Sequence, residues 1–185
     1  MFNALFNLRP SRRLVAIAVL AAVFPAVLMR AQNRKPVTEY DVKAAFLLNF
    51  VKFVEWPPSE ESHSRTSFSI CILGEDPFGP SIDRIVEGET VNNRPLLVRR
   101  VRVLREPCEV LFVSGSERDV PAVLSELPPG TLTVGEAPEF LQAGGMINFV
   151  IDDRRVRFDI NRGAAERASL RISSRLLSVA RTVLR

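Results

Sequence analysis

The first regular pattern of apolar and polar positions has the period of a helix and runs from Glu39 to Glu55. One face of this helix carries Tyr40, Leu47, Phe50, Val51 and Val54, and the opposite face carries Asp41, Asn49, Lys52 and Glu55. Thr38, with Asp41 three residues on, is suited to cap its N-terminus. The Trp56-Pro57-Pro58 run predicts the end of the helix, because a residue before proline avoids helical backbone.

Short apolar runs then alternate with helical or turn segments. The predicted strands are Phe68–Leu73, Leu96–Val103, Val110–Val113, Thr131–Val134, Met146–Ile151 and Val156–Ile160. The predicted helices run from about Pro77 to Val86, from a Ser116 cap to about Leu127, from Pro138 to Gln142, from Arg162 to Ala168, and from Ser174 to a buried Leu184.

Strands separated by helices indicate a mostly parallel sheet with helices on both faces. The last two strands differ, because Val156, Phe158 and Ile160 alternate with charged residues, as in an antiparallel hairpin at a sheet edge. The sequence therefore predicts a single α/β domain with a twisted sheet of about six strands and an antiparallel edge hairpin. The first strand, Phe68–Leu73, is expected at the centre of the sheet.

The N-terminal segment has the pattern of a secretory signal. Arg9, Arg12 and Arg13 precede an apolar run from Leu14 to Met29, which is shorter than the roughly 20 residues of a membrane span. We expect a signal peptide over residues 1–31, cleaved near Ala26 or Ala31, with an uncleaved anchor as the less favoured alternative. Residues 32–38 then form a linker, and residues 39–185 form the domain.

Charge and motifs exclude several classes of function. Residues 1–31 hold four arginines and no acidic residue, and the rest of the chain has 21 basic and 21 acidic residues. A neutral domain argues against nucleic-acid binding, which needs clustered positive charge. The glycine-rich phosphate motifs and the GxSxG elbow are missing, and the single histidine, His63, offers neither a metal site nor a triad. We therefore expect no enzyme, no cofactor and no metal.

Three features could carry binding or redox chemistry. Cys71 and Cys108 could form a disulfide after export if their strands are neighbours, or they could remain buried thiols. Lys43 lies on the apolar face of the first helix, where it could extend its amine to solvent or pair with a carboxylate from the sheet. The run that contains Arg99, Arg100, Arg102 and Arg105 is typical of the exposed face of an edge strand.

Three stretches together resemble the YfiR family of small periplasmic proteins over about residues 38–182. They are the helix that begins Val42-Lys43-Ala44-Ala45-Phe46 and leads to Trp56-Pro57, the run Ile70-Cys71-Ile72-Leu73-Gly74 followed by Asp76-Pro77-Phe78-Gly79, and the stretch from Gly144-Gly145-Met146-Ile147 through Arg157-Phe158-Asp159-Ile160-Asn161 to Leu170-Arg171-Ile172-Ser173-Ser174. The resemblance implies a periplasmic repressor without catalysis, which binds the periplasmic sensor part of an inner-membrane diguanylate cyclase and holds it inactive. Cyclic-di-GMP signalling and biofilm behaviour would then be what it controls, and another membrane sensor protein is an alternative partner.

The resemblance also assigns residues. The family's core disulfide falls on Cys71 and Cys108, whereas Leu141 and Asn148 stand where some relatives carry a second cysteine pair. The family's partner-facing region suggests Ile147, Asp159 and Arg171.

Two functional hypotheses follow from these assignments. A flat apolar patch around residues 147–172 would favour a protein partner, whereas a pocket lined by Lys43, Trp56 or Arg171 would favour a small-molecule sensor that acts with a membrane kinase or transporter. Homodimerisation stays open in both cases.

Overall fold

The computed structural model describes residues 36–57 and 65–185, of which Thr38–Arg185 form one compact unit. The helices are α1 (Glu39–Phe53), α2 (Pro80–Val86), α3 (Val120–Ser125), α4 (Arg162–Arg167) and α5 (Ser174–Val179). The strands are β1 (Val54–Glu55), β2 (Phe68–Leu73), β3 (Thr90–Val91), β4 (Arg94–Val101), β5 (Val110–Val113), β6 (Leu132–Gly135), β7 (Ile147–Asp152), β8 (Arg155–Asn161), β9 (Arg171–Ile172) and β10 (Thr182–Leu184).

The main sheet has eight strands in the order β10-β8-β7-β6-β5-β2-β4-β3. The run from β4 to β7 is parallel, whereas β7 and β8 form an antiparallel hairpin and β3 lies antiparallel to β4. The predicted α/β class with a mostly parallel sheet is thus confirmed, with β2 between β4 and β5 as expected. The sheet exceeds six strands because the short strands β3 and β10 extend its two edges. A separate antiparallel pair joins β1 to β9.

Side chains of β2 alternate between two apolar clusters, so both faces of the sheet are covered. On one face Phe46 and Phe50 of α1 pack on Phe149 and Phe158, with ring centroids 5.0 to 6.2 Å apart. Buried residues of α2, α4 and α5 join the same cluster. On the other face α3 packs over a smaller cluster that contains Cys71. Helices on both faces are therefore confirmed, and both faces of the central strands are buried, as in other parallel sheets.

Helix α1 begins as the sequence predicts and ends two residues earlier. The Thr38 hydroxyl accepts a hydrogen bond from the Asp41 backbone at 3.2 Å, and the Asp41 carboxylate accepts one from the Thr38 backbone at 2.8 Å, which completes a capping box. The helix ends at Phe53 rather than Glu55, because Val54 and Glu55 take extended backbone and pair with β9.

The C-terminal part differs from the prediction in two ways. The β7–β8 hairpin forms around Asp153 and Arg154, whose φ values of 47° and 60° suit a two-residue hairpin turn. It is not the sheet edge, however, because β10 pairs parallel to β8 on its outer side. The expectation that the last helix would continue to a buried Leu184 is wrong, since α5 ends at Val179 and Leu184 lies exposed in β10.

Two smaller elements also differ. The N-cap of α3 is Asp119 rather than Ser116, so the helix is shorter than predicted. The segment 138–142 forms turns instead of a helix. The ring of Phe140 within it packs so tightly on Gly135 and Gly145 that a β-carbon at either glycine would overlap it.

The predicted signal peptide, residues 1–31, and most of the predicted linker lie outside the described residues, so both stay predictions. Within 36–57 and 65–185, no helix is both long and apolar enough to cross a bilayer.

Candidate functional site

The two cysteines form the predicted disulfide. Cys71 lies within β2 and Cys108 lies two residues before β5, so the pairing of these neighbouring strands brings their α-carbons to 6.0 Å. Both residues are buried, and the bridge closes a separation of 37 residues. The alternative of two free thiols is thereby excluded in this structure.

Leu141 and Asn148 occupy the positions at which some relatives carry a second cysteine pair. The chain contains two cysteines in all, so a second disulfide cannot form at these positions. The backbone carbonyl of Leu141 accepts a hydrogen bond from the Asn161 side chain at 3.3 Å. Asn148 is buried, and its side-chain oxygen has no hydrogen-bond partner among the described residues.

Trp56 and Arg171 border one cleft beside the β1–β9 pair. Strand pairing sets Glu55 directly opposite Arg171, and Trp56 follows Glu55 in the chain. The cleft has a volume of about 450 Å³, and its described lining residues are Glu55, Trp56, Pro57, Glu166, Ser169, Leu170 and Arg171. Trp56 is fixed in place, because its ring packs edge-on against Phe68 with centroids 5.0 Å apart. The cleft therefore combines a rigid aromatic wall with charged groups.

Arg171 is the cation of this cleft that remains available to a ligand or partner. Its side chain is exposed and makes no ion pair with a described residue, although Glu55 lies across from it. The carboxylate of Glu166 is instead held by Arg162 at 2.7 Å. A guanidinium in this setting can bind a carboxylate or phosphate through two parallel hydrogen bonds.

Lys43, the third residue of the predicted ligand pocket, does not line this cleft. Its buried amine lies 2.8 Å from the Glu136 carboxylate and 2.5 Å from that of Glu39. The amine also lies 4.5 Å from the centre of the Tyr40 ring. Of the two alternatives considered from the sequence, pairing with a carboxylate is the one that the structure contains.

The charge state of Lys43 follows from these contacts. Burial lowers the pKa of its amine, but hydrogen bonds to Glu136 and Glu39 outweigh burial, and the net shift of the pKa is upward. Burial, followed by the neighbouring charge of Glu136, likewise raises the pKa of Tyr40. Glu136 also accepts a hydrogen bond from the Gly115 backbone at 3.3 Å, so it ties α1 to the loops that follow β5 and β6. This cluster stabilises the fold.

Sequence reasoning did not find Glu136. It directly follows a buried strand in a parallel sheet, where polar side chains gather at the carboxyl ends of the strands. That position, together with a lysine on the apolar face of helix α1, was the available signal.

The three predicted partner-facing residues do not form one exposed surface. Ile147 is entirely buried in the core, so its side chain offers nothing to a partner. Asp159 is 8% exposed and is held by Arg181 through two hydrogen bonds of 2.9 and 2.5 Å. This contact raises the pKa of Arg181. Of the three residues, Arg171 alone is exposed and forms no ion pair with a described residue. Partner binding by Arg171 stays a prediction.

The arginine run along β4 is partly engaged in ion pairs. Arg100 bridges Asp76 and Asp83 at 2.8 and 2.6 Å, and this contact lowers the pKa of Asp83. Arg99 contacts Glu106 at 2.6 Å. Strand β3 pairs with only the first two residues of β4, so the remainder of β4 has no paired strand on this side among the described residues. Leu97 and Arg100 of this remainder are exposed, in keeping with the predicted edge strand.

Comparisons with known proteins give the following matches. The model of the family described as YfiR/HmsC-like matches residues 40–181. No curated protein matches the chain. Among solved structures, the chain is similar to a conserved domain protein from Vibrio cholerae O1 biovar El Tor, with 10% identity and a TM-score of 0.47. That match covers 78% of this chain and 60% of the Vibrio chain, so the chain spans less than two thirds of its neighbour's length.

The family match covers nearly the whole compact unit of Thr38–Arg185, including α1, the disulfide-bearing strands and the cleft around Arg171. The chain belongs to the YfiR/HmsC-like family.

Proposed function

We propose that this protein is an exported, non-catalytic regulator that binds the periplasmic sensor part of an inner-membrane signalling enzyme and holds that enzyme inactive. The proposed partner is a diguanylate cyclase. The observation that carries the proposal is the family match over residues 40–181, because periplasmic repressors of such cyclases are what the resemblance implies.

Two features of the chain support a periplasmic location. The N-terminal arginines and the apolar run that follows have the order of a secretory signal. The Cys71–Cys108 disulfide suits an oxidising compartment, since disulfides are rare in the reducing cytosol. Both features agree with a protein that meets its partner outside the inner membrane.

Arg171 is the residue that we propose contacts the partner. Its free guanidinium stands beside the aromatic wall formed by Trp56, so charge and apolar area are offered together. Binding energy at protein interfaces concentrates in a few residues, among which arginine and tryptophan are enriched. Truncation of Arg171 should therefore weaken the complex more than truncation of an exposed arginine elsewhere.

Asp159 is a poorer probe of this surface. Replacement by arginine would place two cations together at a nearly buried position, since Arg181 already occupies the contact. The variant would destabilise the β8–β10 edge, because the Arg181 guanidinium would face a second cation in place of its carboxylate partner. Loss of partner binding in that variant would then report unfolding rather than contact.

The binding test uses the periplasmic domain of an inner-membrane diguanylate cyclase from the same organism. Its affinity for the wild-type chain, for Arg171→Ala and for Arg118→Ala is measured by calorimetry. Arg118 is the matched control, because it is exposed and makes no ion pair with a described residue. We expect Arg171→Ala to weaken binding about thirtyfold, as for a hot-spot residue worth about 2 kcal/mol, and Arg118→Ala to bind as wild type does. Equal affinities for all three would exclude Arg171 from the interface.

The cleft itself favours a second candidate function, a small-molecule sensor. Its volume of about 450 Å³ lies in the range of small-ligand sites, roughly 300–1,000 Å³. Trp56 is the only tryptophan of the chain, so intrinsic fluorescence reports directly on this cleft. A ligand that shifts Trp56 emission in the wild type but not in Arg171→Ala would support the sensor function.

A further inference from the structure

A second hollow lies on the opposite face of the sheet from α1, between residues 102–108 and helix α3. We call it the disulfide-side pocket, because Cys108 forms part of its wall. Its volume is about 440 Å³, which is within the range of small-molecule sites, roughly 300–1,000 Å³. None of its lining residues lines the cleft at Trp56 and Arg171.

The inner part of the disulfide-side pocket is apolar. Leu73 and Leu111 form its floor, and both belong to the smaller core cluster of the sheet. Val123 and Leu127, from α3 and the residues just after it, form one wall and remain partly exposed. Because these apolar side chains are partly exposed around a concave floor, an apolar ligand could bury their remaining accessible surface.

The charged lining groups divide into engaged and free ones. Glu106 is held by Arg99 at 2.6 Å, and Glu117 accepts hydrogen bonds from the backbone amides of Arg118 and Asp119 at the entry to α3. These two carboxylates are therefore already satisfied by the protein.

The free charges are Arg102, Arg105 and Glu126, which are exposed and form no ion pair with a described residue. The pocket lining thus offers two guanidiniums, on Arg102 and Arg105, that no carboxylate of a described residue engages. Guanidinium groups bind carboxylates and phosphates preferentially, because their planar donors match both oxygens of the anion.

We propose that the disulfide-side pocket binds an organic anion with an apolar body, such as a medium-chain carboxylate. The apolar part lies on Leu73, Leu111 and Val123, and the anionic head meets Arg102 and Arg105 at the mouth. Such a site is separate from the surface proposed for the partner, so its occupancy can be tested without the partner.

The test compares three ligands of equal chain length on the exported protein: decanoate, decanol and decyltrimethylammonium, each titrated by calorimetry. We expect decanoate to bind at least about tenfold more tightly than decanol, because charge-assisted hydrogen bonds add to the apolar contact. We expect the cationic ligand to bind more weakly than decanol. Equal affinities of decanoate and decanol, or no binding of decanoate, would overturn the proposal.

Two variants locate the site. Arg102→Ser/Arg105→Ser alters exposed residues alone and should reduce decanoate affinity about tenfold while leaving decanol affinity unchanged. Val123→Trp should fill the pocket and abolish the binding of both ligands. Arg157→Ser is the matched control, since Arg157 is exposed on the distant strand β8.

Decanoate binding that persists unchanged in both the double-serine variant and a folded Val123→Trp protein would place the ligand elsewhere and refute the site. Circular dichroism tests whether Val123→Trp is folded. If the Val123→Trp protein is unfolded, the double-serine variant alone decides the location of the site.

Discussion

The Cys71–Cys108 disulfide allows the clearest quantitative prediction, because its contribution is set by the length of chain that it closes. It joins residues 37 apart, and a loop of this length restricts the unfolded chain enough to stabilise the folded state by about 4 kcal/mol. For a domain of this size each kcal/mol corresponds to roughly 2–4 °C in melting temperature. Reduction of the wild-type protein should therefore lower the melting temperature by about 8–16 °C.

The assay is urea unfolding of the wild type and of Cys71→Ala/Cys108→Ala, each with and without a thiol reductant. Oxidised wild type should be the most stable of the four samples. The free energy of unfolding of the alanine variant should be about 1 kcal/mol below that of reduced wild type, because the variant lacks the buried sulfur atoms. The alanine variant should not respond to reductant. If fully reduced wild type, verified by thiol counting, unfolds within 1 kcal/mol of the oxidised protein, the argument from loop closure is refuted.

Three further substitutions test the contacts that hold the helices and turns. Lys43→Met should cost about 3 kcal/mol in urea unfolding, because the Glu136 carboxylate loses its buried partner, and a cost below 1 kcal/mol would contradict a buried pair. A hydrogen bond from Ser81, with others from the N-cap, lowers the pKa of Asp41 to about 2. The stability gained from this lowered pKa is present above the carboxyl's ordinary value of 3.8 and is lost as the pH falls through about 2. Melting curves of wild type and Asp41→Asn should thus converge below pH 4, and a constant difference would argue against the assignment. Gly135→Ala should cost 1–3 kcal/mol, roughly the usual range for overpacking against the buried Phe140 ring, and wild-type stability would show that the ring can move aside.

The elements best predicted from the sequence are those with a purely local cause. The bounds of β5, Val110–Val113, match the prediction, because a short apolar run between polar segments has few alternatives to a buried strand. The capping box at Thr38 was also predicted, since it needs side chains only three residues apart. The disulfide followed from the order of neighbouring strands together with the family resemblance.

The elements predicted wrongly depend on distant contacts. Residues after Val179 have enough apolar character for a helix, and what makes them a strand is the free edge of β8, with which β10 pairs. Glu55 looked helical, and its strand conformation depends on Arg171 across the β1–β9 pair. Neither contact is visible in the local pattern of either segment.

The candidate site could be predicted from the sequence in part. Trp56 and Arg171, more than one hundred residues apart in the chain, do meet at one cleft. Lys43 was singled out from the sequence as unusual, but Glu136, whose carboxylate engages it, belongs to a segment without a distinctive motif. Asp159 was assigned to the partner surface by the family resemblance, and the structure pairs it with Arg181. A charged residue on an apolar face indicates that an oppositely charged residue engages it, but the local sequence does not identify that residue.

The most direct test of the proposed function is the rate of cyclic-di-GMP synthesis by the proposed partner, an inner-membrane diguanylate cyclase from the same organism, reconstituted with its periplasmic domain accessible. The account predicts that wild-type protein added on the periplasmic side lowers this rate in a saturable manner, and that Arg171→Ala requires about thirtyfold more protein for the same inhibition. The Arg118→Ala control should inhibit as the wild type does. A synthesis rate unchanged at saturating wild-type protein, with the disulfide intact, would contradict the account.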